Sequence, residues 1–518
     1  MIPEPHRWRV CLLGLCAVLL APLLLVDMPP LLDYPNHLAS LVVLATDGHD
    51  PILVRFYAPH WGMIPDLGLD VVGVWLLHRL PVSIAGRLLI GGALLLQVLG
   101  AVAYARAVVG RSYWSLAVGL VAVNETFLLG FLNFTASTGL ARLLAAGWLR
   151  WRDERPGLTI AVAIPGAVAV YFCHLMGLLL LAVLIGGHEL VVLWPPRRGL
   201  LRLTRRRAVV LAAVFAAPVG LYAESALQDM PGEAEFLSPA AKLGQLLVPF
   251  VNYSLPLDIV TAVVSVGFVL ACAVTGRCRV PLRAGIAIGT LVLLYVVAPF
   301  GFKGTFNLDT RFAIMLGLML FAGWAPVGLP PWAARSAAVV FVVLFAARMT
   351  VLGAAWHQHS TDLAELRSVI ASVRPGDLVF LTTVSQSEAP AYWRDGPWSR
   401  RLSNGARTDV HTAALLLIER RAYWPFLFDN ASQQPITTLE PYRTLANGVE
   451  GIKDHGLLTA ADLCGFDELL LLEAGADPDL ARFAGDRLRL IAASDFAALF
   501  AVLPNPVCSP AEQGGTGR

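Results

Sequence analysis

An acid and a histidine lie one helical turn apart early in the chain, in the stretch "DYPNHLA" at residues 33–39. Asp33 is a carboxylate that could accept a proton from a hydroxyl as a general base, and His37 titrates near neutral pH. Three nearby prolines, two before Asp33 and one after it, stiffen the backbone around this pair. The alternative interpretation is that Asp33 caps the helix beginning in "NHLASLVVLA", or that it is a solvated loop acid.

Four polar side chains interrupt apolar runs later in the chain, and each lies near the end of its run. They are Asn124, Glu125, Asn133 and His174. A charged side chain within a membrane span costs about 2.5–3.5 kcal/mol on insertion scales, so such groups usually face a cavity. If all four lie near one membrane face, they predict a polar pocket there. The alternative is that Glu125 or His174 only satisfies a neighbouring helix.

The elements that must position these residues are membrane spans. The chain has 518 residues, of which 57% are hydrophobic and 15% charged, against roughly 45–50% and about 25% in soluble domains. The basic residues form short clusters between apolar runs, so the net charge of +2 gives no indication of a nucleic-acid surface. The first run follows "HRWR" and lacks a clear small-x-small cleavage site, which favours a retained anchor over a signal peptide. We therefore expect a polytopic α-helical membrane protein.

The positive-inside rule predicts about eleven spans with a cytoplasmic N-terminus. The spans are expected at about residues 10–26, 84–105, 113–129, 131–149, 158–172, 174–194 and 208–222, on both sides of "GRCRVPLR", and at about 312–328 and 336–355. Residues 27–82 then form the first external loop, in which the short segment "LGLDVVGVWLLHRL" is interpreted as a helix lying on the membrane surface. The alternative, that this segment crosses the membrane, would place most later basic loops outside.

The last part of the chain changes character, which predicts two domains, a transmembrane one over residues 1–355 and a small extracytoplasmic α/β one over residues 356–518. "GDLVFLTT", "ELLLLE", "RLRLIAA" and "FAALFAV" are typical of strands, and "TDLAELRSVIASV" and "DPDLARFAG" of helices. Cys464 and Cys508 are the only thiols expected on the oxidising side, so we predict a disulfide between them. The cysteine and histidine spacings do not indicate a metal site.

A long stretch, "VSIAGRLLIGGALLLQVLGAVAYARAVVGRSYWSLAVGLVAVNETF", resembles the second and third spans of the GT-C integral-membrane glycosyltransferases. These include the lipid A aminoarabinose transferases and the protein O-mannosyltransferases. "DYPNHLA", "GFLNF", "YFCHLMG", "DTRF" and "RRAYWPFLFDNASQQPI" resemble, more narrowly, a group of uncharacterised bacterial membrane proteins. The departure is that many GT-C relatives carry two adjacent acids in the first external loop, where this chain has Asp33 with His37 four residues on.

The resemblance implies an inverting glycosyltransferase of the bacterial inner membrane that takes its sugar from a polyprenyl-phosphate donor. Asp33 and His37 are then the catalytic candidates for an envelope lipid, glycan or protein acceptor. Arg311 and Lys303 are the candidates for binding the donor phosphate, because cations stabilise the charge that develops on it. Their alternative role is snorkelling to lipid headgroups. The cofactor stays open, since a divalent metal is compatible with this chemistry but is not indicated by the sequence.

Two features leave the function open at this point. The aromatic residues of the C-terminal part could stack on sugar rings, rest on the lipid or fill a core, and they are Tyr392, Trp393, Trp398, Tyr423 and Trp424. The alternative functions are a transporter or flippase of lipid-linked saccharide, which would predict pseudo-symmetric halves that the sequence lacks, and a non-catalytic envelope assembly protein.

Overall fold

The computed structural model describes residues 4–193, 200–230, 232–383, 398–449, 453–454, 458–473, 487–504 and 508. The chain forms two compact units. The helical unit consists of residues 1–24, 62–72 and 87–353, and the α/β unit of residues 25–61, 73–86 and 354–518. The predicted first external loop, residues 27–82, therefore contributes to both units.

The described residues form seventeen α-helices. They are α1 (Pro5–Leu20), α2 (Tyr34–Leu44), α3 (Gly68–Leu77), α4 (Val82–Val108), α5 (Gly119–Ala122), α6 (Glu125–Leu128), α7 (Leu132–Trp151), α8 (Pro156–Cys173), α9 (Leu175–Leu193), α10 (Leu200–Ala223), α11 (Pro239–Gly244), α12 (Leu255–Val274), α13 (Leu282–Val297), α14 (Leu308–Ala322), α15 (Pro331–Val369), α16 (Leu415–Arg420) and α17 (Tyr442–Gly448).

Seven helices in the described part of the chain are long and apolar enough to cross a membrane, which confirms a polytopic membrane protein. They contain α1, α4, α8, α9, α10, α12 and α15. These seven are fewer than the about eleven spans predicted from the sequence. The predicted span at about 113–129 is instead a 3₁₀ segment (Trp114–Val118) followed by the short helices α5 and α6. The break has a local cause, because Asn124 is extended and its side chain accepts a hydrogen bond from Phe127 N, capping α6.

Small residues allow the helices of the helical unit to pack with their backbones in contact. A Cβ built on Gly100 of α4 would lie 2.2 Å from Gly139 O of α7, and one on Gly139 would lie 2.3 Å from Leu96 C. A Cβ on Gly177 of α9 would lie 2.6 Å from the Cβ of Ser137. Helices in lipid associate through such close packing, since the surrounding acyl chains are as apolar as the helices.

Charged groups hold together the ends of α7, α9 and α10 that were predicted to be cytoplasmic. Arg207 of α10 donates to Glu189 of α9 at 2.7 Å and to Asp153, just after α7, at 2.6 Å. Glu189 also accepts a hydrogen bond from Trp148 Nε1 at 2.8 Å. The charged groups at this end of the helices therefore satisfy one another, with two carboxylates paired with one guanidinium.

The α/β unit contains a mixed five-stranded sheet in the order β10-β11-β9-β6-β8. The strands of the chain are β1 (Tyr57–Pro59), β2 (Ala234–Glu235), β3 (Cys278–Arg279), β4 (Gly301–Phe302), β5 (Ala325–Pro326), β6 (Val379–Thr383), β7 (Ile436–Thr438), β8 (Lys453–Asp454), β9 (Glu468–Leu472), β10 (Leu488–Ala493) and β11 (Ala497–Val502). β6 runs parallel to β8 and β9, whereas β11 runs antiparallel to β9 and β10. The four predicted strands are thus confirmed as β6, β9, β10 and β11.

Two further predictions for the α/β unit can be compared with the structure. Cys464 and Cys508 form the predicted disulfide. Tyr423 and Trp424 are fully buried, so they belong to the core and do not stack on a sugar, whereas Trp398 is 53% exposed. "TDLAELRSVIASV" forms the end of α15 and a 3₁₀ turn. The predicted helix "DPDLARFAG" and the aromatic residues Tyr392 and Trp393 lie outside the described residues.

Candidate functional site

Asp33 immediately precedes α2 in the α/β unit, and its side chain makes no hydrogen bond that caps this helix. The backbone of Asp33 takes part in the helix, since its carbonyl accepts from His37 N at 3.1 Å. The side chain is 19% exposed, so the carboxylate is partly covered but still reachable. The interpretation of Asp33 as a helix cap therefore has no hydrogen bond to support it.

His411 lies beside Asp33, although the two are far apart in the sequence. Its Nδ1 is 3.4 Å from Asp33 Oδ1 and 3.1 Å from Leu32 O. A carbonyl oxygen can only accept, so the contact with Leu32 requires the proton to be on Nδ1. The His411 imidazole is thereby held in one orientation, with its Nδ1 next to the Asp33 carboxylate.

His37 completes this group on the first turn of α2. Its ring meets the edge of Phe428 at a centroid distance of 5.6 Å, and the ring of His411 meets Phe428 at 5.2 Å. Burial lowers the pKa of His37, Asp33 raises it and His411 lowers it again, with a net lowering from the ordinary value of 6.5. His37 is therefore a neutral base at neutral pH. Asp33, His37, His411 and Phe428 are called the Asp33 cluster below.

Buried hydrogen bonds fix the backbone on both sides of the Asp33 cluster. Asn36 of α2 donates to Phe426 O at 2.8 Å and accepts from Trp424 Nε1 at 2.6 Å. Tyr57 OH donates to Trp424 O and accepts from Trp424 N, both at 2.9 Å. Asn36, Tyr57 and Trp424 are all fully buried. The segment that leads to Phe428 is therefore tied to α2, which sets the position of Asp33 relative to the two imidazoles.

A second polar group forms in the helical unit around Asp66, a residue that the sequence analysis did not select. Asn133 at the start of α7 holds the turn that contains Asp66, because it donates to Asp66 O at 2.6 Å and accepts from Leu69 N at 3.1 Å. Gly68 lets this turn approach the end of α8, since a Cβ there would lie 2.7 Å from Cys173 Sγ. The turn is thus fixed against two helices.

His174 and Arg311 face the Asp66 carboxyl group. His174 lies between α8 and α9, and its Nε2 is 3.9 Å from Asp66 Oδ1. Arg311, on the first turn of α14, is 7% exposed, and its guanidinium lies 5.0 Å from the ring centroid of Phe131 and 5.9 Å from that of Phe134. Such contacts attract a cation and hold its planar group in one orientation. Asp66, Asn133, His174 and Arg311 are called the Arg311 cluster below.

The environment of the Arg311 cluster raises the pKa of the Asp66 carboxyl group. Burial raises the pKa of Asp66 to about 7, and the nearby charge of Arg311 opposes this rise. Its neighbour Asp70 on α3 has a pKa that burial and the charge of Asp66 raise, also to about 7. The Asp66 side chain nevertheless keeps 36% of its surface exposed. Near neutral pH this carboxyl group is therefore both reachable and able to change its charge.

The other predicted site residues have more local partners. Asn124 caps α6, as described above, and donates to Val121 O at 2.8 Å. Glu125 is 8% exposed on the first turn of α6. Lys303 donates from Nζ to Gln228 O at 2.8 Å and to Leu227 O at 3.3 Å. Among the predicted residues, the structure thus brings together Asp33 with His37, and Asn133 and His174 with Arg311.

Two residues of these clusters could not be selected from the sequence. His411 is an isolated histidine in "TDVHTAA", and Asp66 is one of six acids in a long loop. The only available signal for Asp66 was its place just before the short apolar segment of α3. In the described ranges, groups of three or more His, Cys, Asp or Glu side chains arranged for a metal ion are absent.

Comparison with known proteins shows the fold of the chain. No protein-family model and no curated protein sequence matches it. Two solved structures of ArnT from Cupriavidus metallidurans do match. The structure bound to undecaprenyl phosphate is 12% identical with a TM-score of 0.54, covering 98% of this chain and 100% of that chain. The apo structure is 14% identical with a TM-score of 0.50, covering 96% of this chain and 98% of that chain. The chain therefore has the polytopic GT-C fold predicted from its sequence.

Proposed function

We propose that this membrane protein of the GT-C fold is a glycosyltransferase that moves a sugar from a polyprenyl-phosphate donor to an envelope acceptor. The observation that carries the proposal is Arg311, a buried guanidinium held over two aromatic rings at the end of a helix in a full-length GT-C fold. The solved structure of the same fold with undecaprenyl phosphate supports a lipid phosphate as the ligand. The reaction is placed at the outer face of the bacterial inner membrane.

Arg311 binds the donor phosphate in this proposal. A guanidinium offers planar paired donors that match phosphate oxygens, and burial strengthens its attraction for an anion. The interaction grows as the bond between the sugar and the phosphate breaks, because negative charge accumulates on the leaving phosphate. Arg311 therefore contributes to turnover as well as to binding. Lys303 remains a candidate for a second cation, although its Nζ is engaged by two backbone carbonyls.

Asp33 is the general base. The acceptor hydroxyl oxygen forms a bond to the anomeric carbon, the bond from that carbon to the phosphate oxygen breaks, and the electron pair leaves with the polyprenyl phosphate. The hydroxyl proton passes to the Asp33 carboxylate, and the configuration at the anomeric carbon is inverted. His411 lies against the carboxylate and helps to position it, and neutral His37 is nearby as a group that can receive the proton afterwards.

A transfer assay in liposomes tests the proposed function. The purified protein is given a panel of polyprenyl-phosphate sugars with a lipid extract of bacterial envelopes, and transfer of labelled sugar is measured together with release of free polyprenyl phosphate. We expect one donor to give stoichiometric transfer and release. Movement of the intact donor across the bilayer without release would instead identify a flippase. Neither transfer nor movement with any donor would favour the assembly protein.

A further inference from the structure

We infer that Asp66 is a positioning residue of the phosphate site, which lies beside Arg311 and His174 when the site is empty and takes up a proton when the donor phosphate binds. The inference rests on the proposed function and adds the means by which the site exchanges its own carboxylate for a lipid phosphate. The geometry for this exchange lies entirely within the Arg311 cluster.

Asp66 and a bound phosphate would share the same partners. Asp66 Oδ1 is buried, accepts no hydrogen bond from the described residues, and lies 3.9 Å from His174 Nε2. Arg311 is near enough for its charge to act on this carboxyl group. An anion that binds Arg311 therefore arrives next to Asp66, and two negative charges in a poorly solvated place repel each other.

The turn that carries Asp66 cannot easily withdraw from the phosphate. Its backbone is held by Asn133 through Asp66 O and Leu69 N, and Gly68 packs against Cys173 without room for a side chain. The repulsion must then be relieved by protonation and not by movement. The neutral carboxyl group becomes a donor, so it can give its new proton in a hydrogen bond to a phosphate oxygen.

The charges around Asp66 also favour proton uptake. The titratable groups around Asp66 come from α3, α8, the α8–α9 junction and α14, and they are Asp70, Tyr171, Cys173, His174 and Arg311. Arg311 is the cation among them at neutral pH. Because the pKa of Asp66 is already about 7, a neighbouring phosphate raises it further and proton uptake follows at pH 7–8.5.

Calorimetric titration with farnesyl phosphate, a short polyprenyl phosphate, tests the inference. Binding to the detergent-solubilised full-length protein is measured at pH 7.5 in two buffers of different ionisation enthalpy, which gives the protons taken up per ligand. The same titrations at pH 6 and pH 8.5 compare the wild type with Asp66→Asn. Asp153→Asn serves as the matched control, because it also removes one carboxylate but lies at the opposite end of the 20-residue helix α7.

We expect Asp66→Asn to bind farnesyl phosphate several-fold more tightly than the wild type at pH 8.5, and about equally at pH 6. The sign follows because the wild-type carboxylate repels phosphate only above its pKa. The variant also loses the part of the proton uptake that Asp66 supplies, whereas Asp153→Asn keeps it. If Asp66→Asn weakens binding at both pH values with unchanged proton uptake, the role of Asp66 is only structural and the inference is wrong.

Two further outcomes separate this inference from the proposed function. A wild-type protein that binds no farnesyl phosphate at any pH contradicts both. Equal affinity and equal proton uptake with inorganic phosphate would show that the site takes free phosphate, which overturns the assignment to a lipid phosphate. If Asp66→Asn does not fold, Asp66→Ser takes its place, and the difference in proton uptake from the wild type decides, since the ligand phosphate titrates in both proteins.

Discussion

The Asp33 cluster and the Arg311 cluster each contain one carboxyl group, but their surroundings assign them opposite tasks. Asp33 lies beside two imidazoles, and the Nδ1 of one of them, His411, is 3.4 Å from its carboxylate. Asp66 lies beside one imidazole and one guanidinium that is itself held by aromatic rings. The first arrangement supports a carboxylate that receives a proton from a substrate. In our proposal the second attracts an anion, and its own carboxyl group takes up a proton once that anion is bound.

The largest expected effect separates the two clusters by a single type of substitution. Asp33→Asn keeps the size of the side chain but removes the base, so we expect the transfer rate to fall by about 10²–10⁴-fold. The measurement is kcat with a saturating donor. Farnesyl phosphate binding should stay unchanged, in contrast to the tighter binding expected for Asp66→Asn at high pH. Near-normal transfer by Asp33→Asn would remove Asp33 from the mechanism.

A smaller effect is expected for Arg311 in the second cluster. Arg311→Ala removes the cation that binds the phosphate and stabilises its developing charge, so kcat/KM for the donor should fall by about 10²-fold. Arg311→Lys should recover only part of this, because an ammonium cannot bind two phosphate oxygens through a planar fork. The matched comparison is Lys303→Ala, whose Nζ is bound to two carbonyls. A larger loss for Lys303→Ala than for Arg311→Ala would contradict our assignment of the phosphate ligand.

The smallest effect tests how the Asp33 cluster works. His411→Ala removes the imidazole whose Nδ1 lies 3.4 Å from Asp33 and should lower the transfer rate by about tenfold, because this contact positions the carboxylate. His411→Gln can still place an amide donor there, so it should recover part of the rate. In the Asp33→Asn background, His411→Ala should have little further effect, since the two residues act together. Fully additive losses in this double-mutant cycle would mean that His411 acts independently of Asp33.

Much of the fold could be predicted from the sequence because the responsible signals are local. Apolar runs long enough to span a membrane identified α4, α8, α9 and α12. Short strand-like segments between helix-like ones identified β6, β9, β10 and β11. One exception is the segment at 113–129, where a capping asparagine ends the apolar run. Hydropathy averaged over a window cannot detect such a break, because it assigns Asn124 a small penalty and no geometry.

The sequence by itself identified Asp33, His37, His174 and Arg311 as candidate site residues. Placing carboxylate, imidazole or guanidinium groups next to membrane-spanning apolar runs costs free energy, so such groups usually have a function. The sequence could not determine their partners. His411 reaches Asp33, and Asp66 reaches His174 and Arg311, only through packing between residues far apart in the chain. These contacts depend on two hydrogen bonds between residues far apart in the sequence. Trp424 Nε1 donates to Asn36 of α2, and Asn133 donates to Asp66 O. Such hydrogen bonds form only when the tertiary structure brings the partners together.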